Sequence, residues 1–160
     1  MKRALLTIIF IAGSFFIASA QTEKEDIAIA QSIFGKTKKA VISDNIQISE
    51  TEQKAFWALY DQYETKSNEI NMARLDLIKR YADNYNTLTD ESAAKLATDY
   101  IDNSAKYFAL YKDFFPKFKK VMGGVKAATL IQLEIYMQTA IQANLQSQIP
   151  VIGQLQKQQH

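Results

Sequence analysis

Residues 49–85 read SETEQKAFWALYDQYETKSNEINMARLDLIKRYADNY, and this stretch decides the fold. Ser49 followed three residues later by Glu52 is a capping-box pattern. The hydroxyl accepts from the third helical amide, and the glutamate returns to the amide of the cap. Ile48 stands just before it as the apolar flank. Beyond the cap, Phe56, Tyr60, Tyr63, Ile70, Leu77, Tyr81 and Tyr85 recur at steps of three, four or seven, the spacing of one helical face. Trp57, Leu59, Leu75 and Ile78 widen that face, while Ser67 and Arg74 read as interruptions of it. One helix over 50–85 is about 54 Å long at 1.5 Å per residue. A compact globule has no use for such a length.

A second start of the same kind lies forty residues on, at Leu88-Thr89-Asp90-Glu91. Thr89 is the cap, and two acids follow in the first turn, where the helix dipole favours them. The stripe behind it is Ala93, Leu96, Tyr100, Tyr107, Tyr111, Phe114 and Phe118, with Phe108 and Phe115 beside it. Pro116 falls inside this pattern and predicts a kink or break, and Gly123-Gly124 predicts the stop. A first amphipathic helix is expected over 27–42, with Gly35 inside it and a break at Asp44-Asn45. A fourth is expected from Val125 to Ile149, ended by Pro150. Neither Gly nor Pro occurs between Lys36 and Phe115, which excludes the regular turns of a β-sandwich or barrel. The fold class is all-α. The short link from Tyr85 to Leu88 makes the second and third helices an antiparallel hairpin, with two shorter helices packed on it.

At the N-terminus, Lys2 and Arg3 precede an apolar run from Ala4 to Ala18, and Ala18-Ser19-Ala20 supplies small residues for cleavage after Ala20. Those are the three parts of a secretory signal peptide, and the run is shorter than the roughly 20 residues of a bilayer span. The expected layout is a signal peptide over 1–20, one helical domain over 21–150 and a polar tail over 151–160. The mature chain is expected in the periplasm, with no stable membrane insertion. Its 17 basic residues equal its 17 acidic ones, because the signal carries Lys2 and Arg3 and no acid. A neutral chain lacks the basic footprint that nucleic acid requires.

Little in the composition suggests catalysis. The chain has no cysteine, and its one histidine is His160, the last residue. The nucleophile–base pairs of hydrolases are therefore missing. Asp99 and Asp102 lie one turn apart, as acids on a solvated helix face do. No glycine-rich phosphate loop is present. Met72, Met122 and Met137 are scattered, as core methionines are, and suggest no metal ligand set. No catalytic residue, cofactor or metal site is expected.

The unusual feature is aromatic. Tyr100, Tyr107, Phe108, Tyr111, Phe114, Phe115 and Phe118 crowd nineteen residues. Steps of three and four suit a core, yet the adjacent pairs Tyr107-Phe108 and Phe114-Phe115 cover more arc than a narrow seam can bury. The surplus is expected to face a dimer partner or a client. The candidate surface is Phe108, Phe114, Phe115 and Phe118 with Lys119 and Lys120, and Lys112 and Lys117 stand nearby.

The two helix starts, Ile48-Ser49-Glu50-Thr51-Glu52 and Leu88-Thr89-Asp90-Glu91-Ser92, resemble the repeated Leu-Thr-x-x-Gln motif of the Spy/CpxP family of periplasmic proteins. Phe115-Pro116-Lys117-Phe118-Lys119-Lys120 is similar to that family's third-helix junction. The likeness spans roughly residues 48–149. It departs from the pattern at the final Gln, which is Glu52 in one copy and Ser92 in the other, and at Ile48-Ser49 in place of Leu-Thr. The resemblance implies a curved, four-helix, cradle-shaped homodimer. It implies ATP-independent holding of unfolded envelope proteins. The alternative is a regulatory module for one partner, such as a sensor kinase or an anti-sigma system, with metal responsiveness in some relatives.

Overall fold

The computed structural model describes residues 35–147. The expected signal peptide and its cleavage point, the first-helix residues 27–34 and the tail 151–160 lie outside them. Four helices pack together, with no strand among the described residues: α1 Lys38–Asn45, α2 Glu50–Asn84, α3 Asp90–Met122 and α4 Gly124–Ser147. A single 3-10 turn, Tyr85–Thr87, joins α2 to α3.

Both expected caps are in place. The Ser49 amide donates to Glu52 Oε2 at 2.9 Å. The Thr89 amide donates to Ser92 Oγ at 2.9 Å, and the Ser92 amide donates to Thr89 Oγ1 at 3.2 Å. Two expectations need correction. The first helix does not run through Gly35, which has φ +65°. Thr37 caps a new start, accepting from the Ala40 amide at 3.2 Å, and α1 ends at Asn45, where the break was expected. Nor does Pro116 break α3, which runs on to Met122. Proline in a helix interior costs about 3 kcal/mol. Phe114 and Phe118, one turn apart on either side of it, are each 1% exposed, and burying each ring contributes about 1.5–3 kcal/mol. The anchored turns offset the missing donor.

Gly123 does two jobs. Its φ of +83° suits glycine. Its amide closes α3 on the Lys119 carbonyl, and its own carbonyl accepts from the Ala127 amide to open α4. This one-residue corner folds α4 back along α3.

Cross-chain contacts give the directions. Tyr63 meets Phe114, Arg74 meets Asn103 and Arg80 meets Asp99, so α2 and α3 are antiparallel. Gln138 reaches Tyr107 and Gln146 reaches Tyr100, so α3 and α4 are antiparallel as well. The two outer helices are therefore parallel, and no Cα of α2 lies within 8 Å of one in α4. Rings fill the space between. Phe56, Tyr60, Tyr63, Phe114 and Phe118 form a chain of neighbours with centroids 5.5–6.0 Å apart. Ile42, Leu130 and Met137 complete this core, and each is fully buried. The aromatic side of the hairpin is thus covered by α1 and α4.

Ser67 and Arg74 do not interrupt the α2 seam; they are inside it, 2% and 3% exposed. Arg74 Nε donates to Asn103 Oδ1 at 2.8 Å, Nη1 to the Tyr100 hydroxyl at 3.0 Å and Nη2 to Ser104 Oγ at 2.7 Å. The Tyr100 ring lies 4.4 Å from the guanidinium carbon and the Tyr107 ring 5.4 Å. Every described partner is neutral. Asn103 in turn donates to the Ile70 carbonyl at 3.0 Å. A second polar layer joins Asn71, Tyr107 and Gln138 across all three long helices.

The beginning of α2 is tied to α4 by Glu52, whose Oε2 accepts from Lys126 Nζ at 2.8 Å. The Lys126 ammonium, with the Ser49 amide, holds the Glu52 carboxyl well below the usual range, at about 2.

Two measurements check these assignments. Arg74→Ala strands Asn103, Tyr100 and Ser104 without their donor and is expected to lower unfolding free energy by about 2–4 kcal/mol in urea titrations. Arg74→Met, which refills the space, should recover part of that loss. For Glu52, the folded-state pKa lies below the unfolded one. Its contribution is therefore fully present above about pH 4.5 and is lost as pH falls toward about 2. The stability gap between wild type and Glu52→Gln, followed by thermal melts, should be widest near neutrality and close across that window.

Candidate interaction surface

The expected aromatic surface divides in two. Phe114 and Phe118 are core residues, each meeting Tyr63 edge-to-face, and are withdrawn from the surface. Tyr107 and Tyr111 are buried with them. The reason is the third wall: α4 closes over the side of α3 that a two-helix hairpin would leave wet. Phe108 stays 69% exposed and Phe115 37% exposed.

Ile101 belongs with this pair and is 66% exposed. It lies seven residues before Phe108, as Phe108 lies seven before Phe115, so the three share one stripe along α3. Counting back one heptad from Phe108 would have located it in the sequence. Lys112 and Lys119 each lie four residues after a phenylalanine of the stripe, on the same face. Lys120 is exposed one position round. Among the described residues, Lys112, Lys119 and Lys120 have no carboxylate in pairing distance, whereas Lys117 is held by Asp113 at 2.9 Å and sits 4.4 Å over the Phe114 ring. The surface is thus three exposed apolar side chains with three cations available to a partner, carried on a helix fixed by its opposite face.

The helix-cap residues have structural work. Ile48 is half-buried against the core, Ser49 and Glu52 close the start of α2, and Leu88 and Thr89 precede α3. Asp99 is held low by Lys95 and then Arg80, a surface network between α2 and α3. Met122 and Met137 are in the core and Met72 is at the surface.

A second feature lies on α4. Its 24 residues contain two charged side chains, Lys126 and Glu134. Lys126 is paired with Glu52, and Glu134 is buried. Val125, Ile135 and Tyr136 are exposed on the outside, Val125 to 83%. The core side of this helix is Ala127, Leu130, Met137 and Ile141. The near absence of charge in this stretch is the sequence signal for its unusual outer face.

The division between core and surface has a direct check. Phe114→Ala and Phe118→Ala should each cost about 3–5 kcal/mol in chemical unfolding. Phe108→Ala should cost under about 0.5 kcal/mol, with Phe115→Ala between these limits. When the chain is compared with protein-family models, characterised proteins and solved structures, nothing matches.

Proposed function

We propose that this protein is an exported, ATP-independent holding factor that binds non-native envelope proteins, in the manner of the Spy/CpxP family it resembles. The observation that carries the reading is the exposed stripe of Ile101, Phe108 and Phe115 with Lys112, Lys119 and Lys120 beside it. Folded monomers rarely leave large apolar side chains aligned and bare. Cations next to them favour acidic, unfolded segments by short-range attraction, without needing a net charge on the whole protein. The signal-peptide pattern at residues 1–20 supports an envelope location. No described helix is long and apolar enough to cross a membrane. A homodimer, in which a second copy covers part of the apolar surface, belongs to the same reading. No catalytic step is part of it.

A second reading is regulatory: the module binds one defined partner, such as a sensor-kinase ectodomain or an anti-sigma protein. The seven-residue spacing of Ile101, Phe108 and Phe115 favours it, because a straight stripe on a rigid helix matches the ridge of another helix.

Suppression of aggregation for several unrelated denatured proteins separates the two. The holding factor should protect all of them, and the double variant Ile101→Ser/Phe108→Ser should lose most of that protection while keeping its helicity and melting temperature. Protection unchanged in the double variant would remove this surface from the function. Protection of no substrate would favour the single-partner module.

A further inference from the structure

The groove between α2 and α4 differs from the rest of the core in how it is filled. The two parallel helices are not in backbone contact, and long side chains span the space between them. Tyr60 and Tyr63 donate to Glu134 at 2.6 and 3.1 Å, and burial keeps both hydroxyls protonated well beyond their usual range. The floor is aromatic: Phe56, Tyr60 and Tyr63 of α2 with Phe114 and Phe118 of α3.

Into this groove goes α1. Ile42 is 0% exposed and Ile46 4%, both within the main core cluster, and Val41 packs beside them. Two lysines ahead of them meet carboxylates on both walls. Lys38 Nζ lies 3.0 Å from Glu134 on α4. Lys39 Nζ lies 2.6 Å from Asp61 and 4.0 Å from Glu64 on α2. Lys39 also sits 5.7 Å over the Trp57 ring. Glu134 is 2% exposed and Glu64 is pushed up by burial, with Lys38 and Lys39 opposing that rise. The walls thus supply three acids and the floor supplies rings.

The occupant is far weaker as a helix than the site is as a receptor. With eight residues, α1 is below the roughly 12–15 needed for even marginal stability alone. Its helical state depends on docking. Residues 46–49 join it to α2 along the chain, and a positive-φ glycine, Gly35, stands just before it. Recognition of an amphipathic helix by an apolar groove uses buried aliphatic anchors, here Ile42 on the helix and Ile46 at its extended C-cap, with charge at the rim setting polarity and register.

We propose that the α2–α4 groove is a helix-acceptor site, that α1 is its displaceable in-chain occupant, and that it receives from a partner protein a basic amphipathic helix bearing the Lys-Lys-x-x-Ile-x-x-x-Ile arrangement of residues 38–46. This site is separate from the α3 stripe and does not depend on the holding function. Displacement of α1 lets a partner's helix gain the same two aliphatic sockets and the same three carboxylates.

Native-state hydrogen exchange on the wild-type protein tests displaceability without any substitution. Amides of Val41, Ile42 and Ile46 should exchange at least tenfold faster than those around Tyr60, Tyr63 and Phe114, with little dependence on low urea. Equal protection, with the urea dependence of global unfolding, would overturn the proposal. The receptor is tested with a peptide of residues 36–47 added to the Lys38→Glu/Lys39→Glu protein, whose own α1 is repelled by Asp61, Glu64 and Glu134. Trp57, the single tryptophan, reports through its fluorescence. A saturable change with this peptide, absent for a peptide with both lysines replaced by glutamate, is the expected result. No saturable change up to millimolar peptide would sink the proposal, and a variant that does not fold leaves the decision to the exchange result. Concentration-dependent dimers of the wild-type chain that the peptide dissolves would give the groove to a second copy and overturn the partner assignment.

Discussion

Two buried charges, Arg74 in the α2–α3 seam and Glu134 in the α2–α4 groove, constrain everything around them. Taking a charge out of water costs several kcal/mol unless its bonding capacity is met. Arg74 meets it with Asn103, Tyr100 and Ser104, all on α3. Glu134 meets it with Tyr60 and Tyr63 from α2 and Lys38 from α1. Aromatic packing alone would tolerate a slip of one turn along such long, similar surfaces. The polar partners would not, because a slip leaves each charge facing rings or aliphatic groups. Greasy contacts supply the energy of association, and the two charges select one alignment.

The same constraint divides the molecule along its length. One half, from Phe56 to Phe118 and Met137, is a ring-filled core closed by α1. The other half, around Arg74, Tyr100, Asn103 and Gln146, is held by hydrogen bonds between side chains. Function on the outer face of α3 relies on this support. Phe108 and Ile101 can stay bare because Tyr107 and Asn103, on the buried side of that helix, hold it in place. The α1 groove likewise exists because α2 and α4 are kept apart by α3 instead of packing on each other.

Much of this was legible in the chain. The capping patterns at Ser49 and Thr89, the lack of Gly and Pro from Lys36 to Phe115 and the short Tyr85–Leu88 link led to the hairpin, and its ends agree with the structure to within a residue or two. Ser67 and Arg74 were misread because polarity was taken as a sign of exposure. A seam with polar residues one heptad apart is also what a satisfied polar layer looks like. The aromatic surplus on α3 was read against a two-helix hairpin. With α4 as a third wall, Phe114 and Phe118 go inside, and the bare surface shrinks to Ile101, Phe108 and Phe115.

Local chemistry was decided by sequence alone: which residues begin a helix, which end it, and which face is apolar, since backbone capping and 3.6-residue periodicity involve neighbours only. Partnership was decided by tertiary structure. Whether a ring is core or surface, whether an arginine is solvated or enclosed, and whether an eight-residue segment is helical at all depends on what arrives from distant parts of the chain. Desolvation acts on that assembled neighbourhood, and no run of adjacent residues contains it.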